Sequence, residues 1–313
     1  MKLHIVQKLP LTRDTFLFGL KSPFGEALPR FAPGAHVTID VPNGMRRTYS
    51  LCGDPHNSDR YQIAVKREGG GRGGSASLVD DSNVGDVVEV SGPNNVFKLT
   101  SAATELLFVA GGIGITPILS MVRHVSRHTD LPWSLYYCTR NADQTAFSAD
   151  LKELPTARGK IRFHHSADQK PTPFEPWSVF EKPKKNCHVY CCGPVRLMDA
   201  IKDTTGHWPL GSIHFETFGS EIIAVENRAF LVRLESSGER INIPADQTIV
   251  EVLRTSGRTI PTSCESGTCG TCRTRLVSGI ADHRDMVLQE NEKASQIIPC
   301  VSRALSEELV LGL

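Results

Sequence analysis

The sequence predicts a three-part chain: a small antiparallel β-barrel, an α/β domain on a parallel sheet, and a compact α+β module. Three observations predict it. Residues 1–100 carry short alternating apolar runs divided by Pro, Gly and Asn. Over residues 101–222, apolar strand-like runs alternate instead with helical patterns, which implies a parallel sheet covered on both faces. Residues 228–313 then surround three thiols within nine residues, Cys264, Cys269 and Cys272, with a fourth at Cys300.

A length of 313 residues suggests two or three domains. Lys and Arg total 35 against 34 Asp and Glu, a formal net charge of +1, so no basic field is present to attract nucleic acid or anionic lipid. The first fourteen residues hold no apolar core for a signal peptide, and no stretch reaches the roughly 18 apolar residues of a membrane span. Nine cysteines without an export signal point to a reducing cytoplasm.

In the barrel segment, LHIVQKL, HVTIDV, YQIAVKRE and DVVEVSG read as strands. Two stretches stand out. Arg46, Arg47, Thr48, Tyr49 and Ser50 join cations to an aromatic ring and a hydroxyl, and GGGRGGS at 69–75 precedes SASLVDD, which reads as a helix start. Glycine N–H groups, a helix N-terminus and arginine together suit a phosphate, and Tyr49 can lie against a planar ring. A solvated arginine pair and a flexible hairpin tip explain the same residues.

In the middle segment the strands are LLFVA, SLYYC, IRFHH, HVYCC and IHFET. After LLFVA comes GGIGITP at 111–117, then Ile118, Met121, Val122 and Val125 at helical spacing, with Pro117 suited to the first turn. A strand, a glycine turn and a helix start suit a dinucleotide pyrophosphate. The fingerprint is incomplete: Pro117 stands where a third glycine belongs, and Thr139 and Arg140 stand where an acidic ribose partner belongs. A purely structural glycine turn is the competing account. HVYCC runs into Gly193 and Pro194, so both glycine turns lie at the carboxyl ends of strands, where open α/β sheets bind ligands. Cys192 becomes a candidate wall of that site, while Cys52, Cys138, Cys187 and Cys191 read as small buried residues.

Residues 218–227 read as a linker. FLVRLESSGERINIPA reads as a hairpin turning at Ser237 and Gly238, and residues 248–256 read as a short helix stopped by Gly257. Four residues separate Cys264 from Cys269 and two separate Cys269 from Cys272, the spacing of plant-type 2Fe-2S ligation. Gly267 and Gly270 allow the loop to curl, because glycine accepts positive φ. A zinc site, a thioredoxin-like pair at Cys269 and Cys272, and structural disulfides account for the pattern less completely.

Taken together, RTYS at 47–50, GGIGITP at 111–117, CCGP at 191–194 and CESGTCGTC at 264–272 closely resemble the phthalate dioxygenase reductase family, which includes vanillate demethylase reductases. The resemblance covers the whole chain. It implies an FMN-binding barrel over 1–100, an NADH-binding α/β domain over 101–222 and a β-grasp 2Fe-2S ferredoxin over 228–313. Arg47 and Thr48 would contact FMN, with Ser50 near its reactive edge, and Tyr49 is the candidate to lie against its ring. Ala64, Val65 and Lys66 would line the flavin, and Arg72, Gly73, Gly74 and Ser75 would hold its phosphate. Thr116 would approach flavin and nicotinamide, Phe218 would cover a flavin face, and Gly112, Gly114, Thr139, Arg140, Cys192 and Gly193 are the candidates for NADH. Ser50, Thr116 and Cys192 are then the candidates at the reacting centre, and Cys264, Cys269, Cys272 and Cys300 the cluster ligands.

The implied function is a monomeric cytoplasmic reductase that passes electrons from NADH through FMN and 2Fe-2S to a Rieske-type oxygenase acting on an aromatic acid or related compound. A hydride carries two electrons and the cluster accepts one, so a flavin must stand between them. A haem monooxygenase as acceptor, or a redox sensor without NADH turnover, are the alternatives. Arg258, Glu265, Arg273 and Arg284 mark the expected docking surface of the partner.

Overall fold

The computed structural model describes residues 1–313 except 71–72, 168–173, 210, 219–226, 263–264, 266, 268–269, 286 and 290. Of the candidate site residues, Arg72, Cys264 and Cys269 therefore lie outside the described residues. The chain divides into two compact units, Met1–Glu216 and Thr217–Leu313.

The first unit opens with β1 (Lys2–Pro10), β2 (Thr15–Lys21), β3 (His36–Asp40), β4 (Arg46–Ser50), β5 (Tyr61–Lys66), helix α1 (Gly74–Asp81) and β6 (Val87–Asn94). The strands form one antiparallel sheet in the order β4-β3-β6-β1-β2-β5. A bridge from Leu51 to Ile63 joins the end of β4 to β5, so the sheet curls onto itself. The period-2 pattern explains the core: Leu3 and Ile5, Phe18 and Leu20, and Val37 and Ile39 are all buried. Each such side chain contributes roughly 1.5–3 kcal/mol.

The α/β half follows as β7 (Glu105–Gly111), a 3₁₀ turn (Gly112–Gly114), α2 (Ile115–His128), β8 (Trp133–Thr139), α3 (Ser148–Lys152), β9 (Gly159–His165), α4 (Pro176–Phe180), β10 (Cys187–Cys192), α5 (Val195–Thr205) and β11 (Ile213–Glu216). All neighbours in the order β11-β10-β7-β8-β9 are parallel. Helix α2 buries Ile118, Leu119, Met121 and Val122 with Leu151 of α3 in one core, while Phe180, Met198 and Ile201 of α4 and α5 belong to another. Leu17, Cys52 and Ala64 of the barrel join the α2 core. The Gly34 N–H also donates to buried Ser120 Oγ of α2 at 3.0 Å, so the barrel and the α/β half share one interior.

Within that unit His188 Nδ1 and His214 Nε2 stand 3.0 Å apart, and the His214 ring stacks on Tyr190 with centroids 4.4 Å apart. Burial, and next the neighbouring His188, lower the His214 pKa to about 4. An unfolded histidine titrates near 6.5. As pH falls from that value toward 4 the unfolded chain takes the proton first, so stability is lost across this window. Replacing His214 with Gln is expected to remove on the order of 1–2 kcal/mol of this loss, after discounting for the ring's partial exposure. Melting temperatures at pH 7.5 and 4.5 check it; an equal drop in both proteins refutes it.

The second unit contains β12 (Phe230–Leu234), β13 (Arg240–Ile243), α6 (Ile249–Thr255), β14 (Thr274–Ser278), β15 (Ala281–Asp282), β16 (Gln296–Ile297), β17 (Arg303–Ala304) and β18 (Glu308–Leu311). Its main sheet runs β13-β12-β18-β14-β16, with β12 and β18 parallel and the other neighbours antiparallel. A capping box starts α6: the Glu251 N–H donates to Thr248 Oγ1 at 3.1 Å and the Thr248 N–H to Glu251 at 2.8 Å. Gly257, at φ 74°, follows the helix. Ile249, Val252 and Leu253 pack on Phe230, Val232 and Leu309 in this unit's own core. Among the described residues no helix is long and apolar enough to cross a membrane.

Candidate functional site

The carboxyl edge of the parallel sheet is built from two glycine turns that touch. A Cβ on Gly111 would stand 2.6 Å from Pro194 Cδ, one on Gly114 would stand 2.2 Å from the Cys192 carbonyl oxygen, and one on Gly193 would stand 2.9 Å from Gly111 Cα. No side chain fits between them. Gly112 differs: its φ is 53° and its Cβ direction is open, so it serves the turn rather than the packing. The Tyr137 hydroxyl donates to Gly112 O at 3.2 Å, and the Thr116 hydroxyl donates to Ile113 O at 3.0 Å. The turn leading into α2 is therefore held from both sides.

Cys192 ends β10 and is fully buried. Burial pushes its thiol well up, with the charges of Glu216 and Cys191 adding to it, so it stays protonated at neutral pH. The β10–β11 register sets Cys192 beside Glu216, which is 5% exposed and accepts from the Ser50 hydroxyl at a long 3.5 Å. Ser50 is the last residue of β4 and is buried as well. The barrel thus delivers Ser50 to the sheet edge where Cys192 and Glu216 end, and Thr116 lies in the first turn of α2 on that same edge. Thr139 ends β8 and Arg140 follows it. The Thr139 hydroxyl lies 2.8 Å from Thr145 Oγ1 and 3.2 Å from Asn141 O, which commits it to its own turn, while Arg140 is exposed.

On the barrel, Gly73 has φ 81° and caps α1. A Cβ on Gly74 would meet Arg47 Nε at 2.5 Å, so the arginine lies directly across the helix start. Ser75 Oγ accepts from the Glu68 N–H at 3.1 Å. The Thr48 and Thr38 hydroxyls pair across strands at 3.3 Å. The Tyr49 hydroxyl is buried and meets no hydrogen-bond partner among the described residues, and burial raises its pKa against the opposing charge of Arg47. Ala64 packs in the α2 core, Val65 in the barrel core, and Lys66 pairs with Glu68 at 2.7 Å. A glycine-lined helix start crossed by arginine, beside an orphaned phenol, fits a phosphate-bearing planar cofactor such as a flavin.

In the second unit, Cys272 and Cys300 are 2% and 3% exposed and share an apolar pocket with Val250, Leu288, Ile298 and Val301. Gly267 and Gly270 adopt φ 76° and 70°, as the tight thiol loop requires, and a Cβ on Gly267 would strike Val301 Cγ2 at 2.7 Å. Two buried sulfurs beside a loop wound through left-handed glycines fit a compact cluster held by thiolates. Phe218 belongs to this unit and is 38% exposed.

The expected docking charges are engaged internally: Glu265 with Arg254 at 2.5 Å, Arg273 with Glu292 at 2.7 Å, Arg284 with Asp282 at 2.5 Å, and Arg258 with Glu239. One residue at this edge, Glu216, carries no motif in the sequence. Its place at the end of a strand is the one cue that marks it.

Comparison with known proteins agrees with this layout. Residues 2–99 match the oxidoreductase FAD-binding domain, 108–203 the oxidoreductase NAD-binding domain, and 232–305 the 2Fe-2S iron-sulfur cluster binding domain. The chain is 51% identical to the phthalate 4,5-dioxygenase oxygenase reductase subunit of Pseudomonas putida, over 99% of this chain and 96% of that protein. It is 52% identical to the phthalate dioxygenase reductase of Burkholderia cepacia, over 100% and 97% of the two chains. A solved structure of phthalate dioxygenase reductase superposes with a TM-score of 0.88 at 51% identity, covering 100% of this chain and 98% of that one. With flavin, nicotinamide and cluster domains in this order and relatives matched from end to end, the chain belongs to the phthalate dioxygenase reductase family of oxidoreductases.

Proposed function

We propose that this protein is the NADH-dependent reductase component of a Rieske non-haem iron oxygenase system acting on an aromatic acid or related compound. It works as a cytoplasmic monomer and moves electrons from NADH through FMN and the 2Fe-2S cluster to the oxygenase. The observation that carries the reading is the meeting of Ser50, from the barrel, with Cys192 and Glu216 at the carboxyl edge of the nucleotide sheet.

When bound, the flavin supplies the conversion of one two-electron donation into single-electron steps. The chain's own residues position and enclose. Arg47, Gly73, Gly74 and Ser75 would hold the flavin's phosphate, with Arg72 as their sequence neighbour. Thr48 and Tyr49 orient the ring system, and Ala64, Val65 and Lys66 flank it. Gly112, Gly114, Gly193, Thr139 and Arg140 would shape the NADH side. Cys192 remains a neutral, water-excluding wall because its thiol is pushed up. The Ser50 hydroxyl, which donates to Glu216, would stand near the reactive edge of the flavin. Cys264, Cys269, Cys272 and Cys300 bind the cluster.

Anaerobic titration with NADH tests the reading: flavin absorbance bleaches first and the cluster is reduced next, whereas an unchanged flavin spectrum overturns it. Mass spectrometry of the released flavin tests FMN. Ser50→Ala and Glu216→Gln are each expected to slow flavin reduction by roughly 10- to 100-fold, because placement of the reacting groups is disturbed. Stopped-flow traces at saturating NADH measure this, and wild-type rates in both variants remove the pair from the reacting centre.

A further inference from the structure

Strand β9 is the outer edge of the parallel sheet, and among the described residues its only strand neighbour is β8. The register decides which backbone groups are left over. The Trp133 N–H donates to Arg158 O and the Ser166 N–H to Thr139 O. Even-numbered residues of β9 therefore bond inward to β8, and the N–H and C=O groups of Ile161 and Phe163 point outward.

A cavity lies against each face of this strand. One, of about 440 Å³, reaches Leu151 and Lys152 of α3. The other, of about 570 Å³, reaches Tyr136 of β8 and Val179 of α4. Thr156, Gly159, Lys160 and Arg162 border both. The second cavity also touches Glu105 and Trp133, at the amino ends of β7 and β8, so it is remote from the glycine turns at the carboxyl edge.

The charge there is one-sided. Residues 152–162 contain Lys152, Arg158, Lys160 and Arg162 against Glu153 as the one carboxylate. Lys184 and Glu105 in the second cavity neutralise each other at 2.5 Å, and Arg162 lies over the Tyr136 ring at 5.3 Å. Edge cations alone serve to keep sheets from pairing with one another. Cations joined to outward backbone groups and a groove on each face do more, since they supply backbone pairing, side-chain pockets and charge for an added strand.

We propose that β9 is a docking strand for an extended acidic peptide segment of a partner protein. The segment pairs with the outward N–H and C=O groups of Ile161 and Phe163, its acidic side chains face Lys160 and Arg162, and its intervening side chains, on the opposite face, enter the cavity lined by Ile161, Phe163 and Leu151.

Fluorescence anisotropy with the full-length holoprotein tests this, using a labelled ten-residue peptide of alternating Glu and Val. Binding is expected, and it should weaken at least about tenfold in the Lys160→Glu/Arg162→Glu double variant. The double variant should still bleach its flavin with NADH, which verifies folding. Two further peptides, N-methylated at alternate amides along one edge or the other, separate strand addition from charge attraction. Methylation of one edge should abolish binding and methylation of the other should spare it. Equal binding of both methylated peptides, equal loss of both, equal binding of an alternating Lys and Val peptide, or no binding of the parent peptide each overturns the proposal.

Discussion

Replacing Cys272 with Ser leaves NADH-driven flavin bleaching at the wild-type rate and takes one-electron reduction of a protein acceptor down to background. The reason is chemical before it is structural. Iron in a 2Fe-2S cluster is held by thiolates, and a serine hydroxyl does not ionise near neutral pH, so the substitution removes a ligand charge as well as a sulfur. Cys272 is 2% exposed in an apolar pocket that includes Cys300, so no side chain from solvent takes its place. The nicotinamide and flavin machinery belongs to the first unit, which closes its own sheets and cores. Flavin bleaching and cytochrome c reduction, followed on the same protein together with the visible cluster absorbance, separate the two steps. Acceptor reduction at the wild-type rate would mean that electrons leave without the cluster.

The cluster-binding domain is the part of the chain most legible in the sequence, because the thiol spacing that marks it is a local property. Gly267 and Gly270 then adopt the positive φ that a tight loop demands. The strands of the α/β half are legible for a similar reason: apolar runs such as LLFVA and HVYCC are long enough to be buried on both faces. Glu216 is different. In the sequence it closes a short strand and resembles any solvated carboxylate. Only the register of β10 on β11, and the arrival of Ser50 from a strand 166 positions away, bury it beside Cys192. Charge partners were hidden in the same way. Arg258 and Arg273 look available for a partner until folding brings Glu239 and Glu292 to them from 19 residues away. Glycine roles are hidden too, since GGIGITP looks like one phosphate-binding unit while its members answer to different neighbours.

That difference makes a sharp pair of expectations for Gly114 and Gly112. An alanine at 114 would place its Cβ 2.2 Å from the Cys192 oxygen and 2.8 Å from the Gly193 nitrogen. These are backbone atoms, so no rotamer relieves the clash and the two turns must separate. Overpacking of this kind costs about 1–3 kcal/mol. It also displaces Cys192 and Gly193 at the proposed nicotinamide edge, where a shift of about 1 Å is worth on the order of 100-fold in rate. An alanine at 112 meets nothing within 4 Å and suffers only from φ 53°, a cost of about 1–2 kcal/mol with no neighbour moved. Its added methyl group faces the open side, where the dinucleotide would approach. Gly114→Ala is therefore expected to lower both melting temperature and the flavin reduction rate at saturating NADH, whereas Gly112→Ala raises KM for NADH and leaves the saturated rate within a few-fold of wild type. Stopped-flow reduction over a range of NADH concentrations, with melting curves of both variants, decides between them. A saturated rate unchanged in Gly114→Ala would show that the two turns can part without disturbing the edge they build.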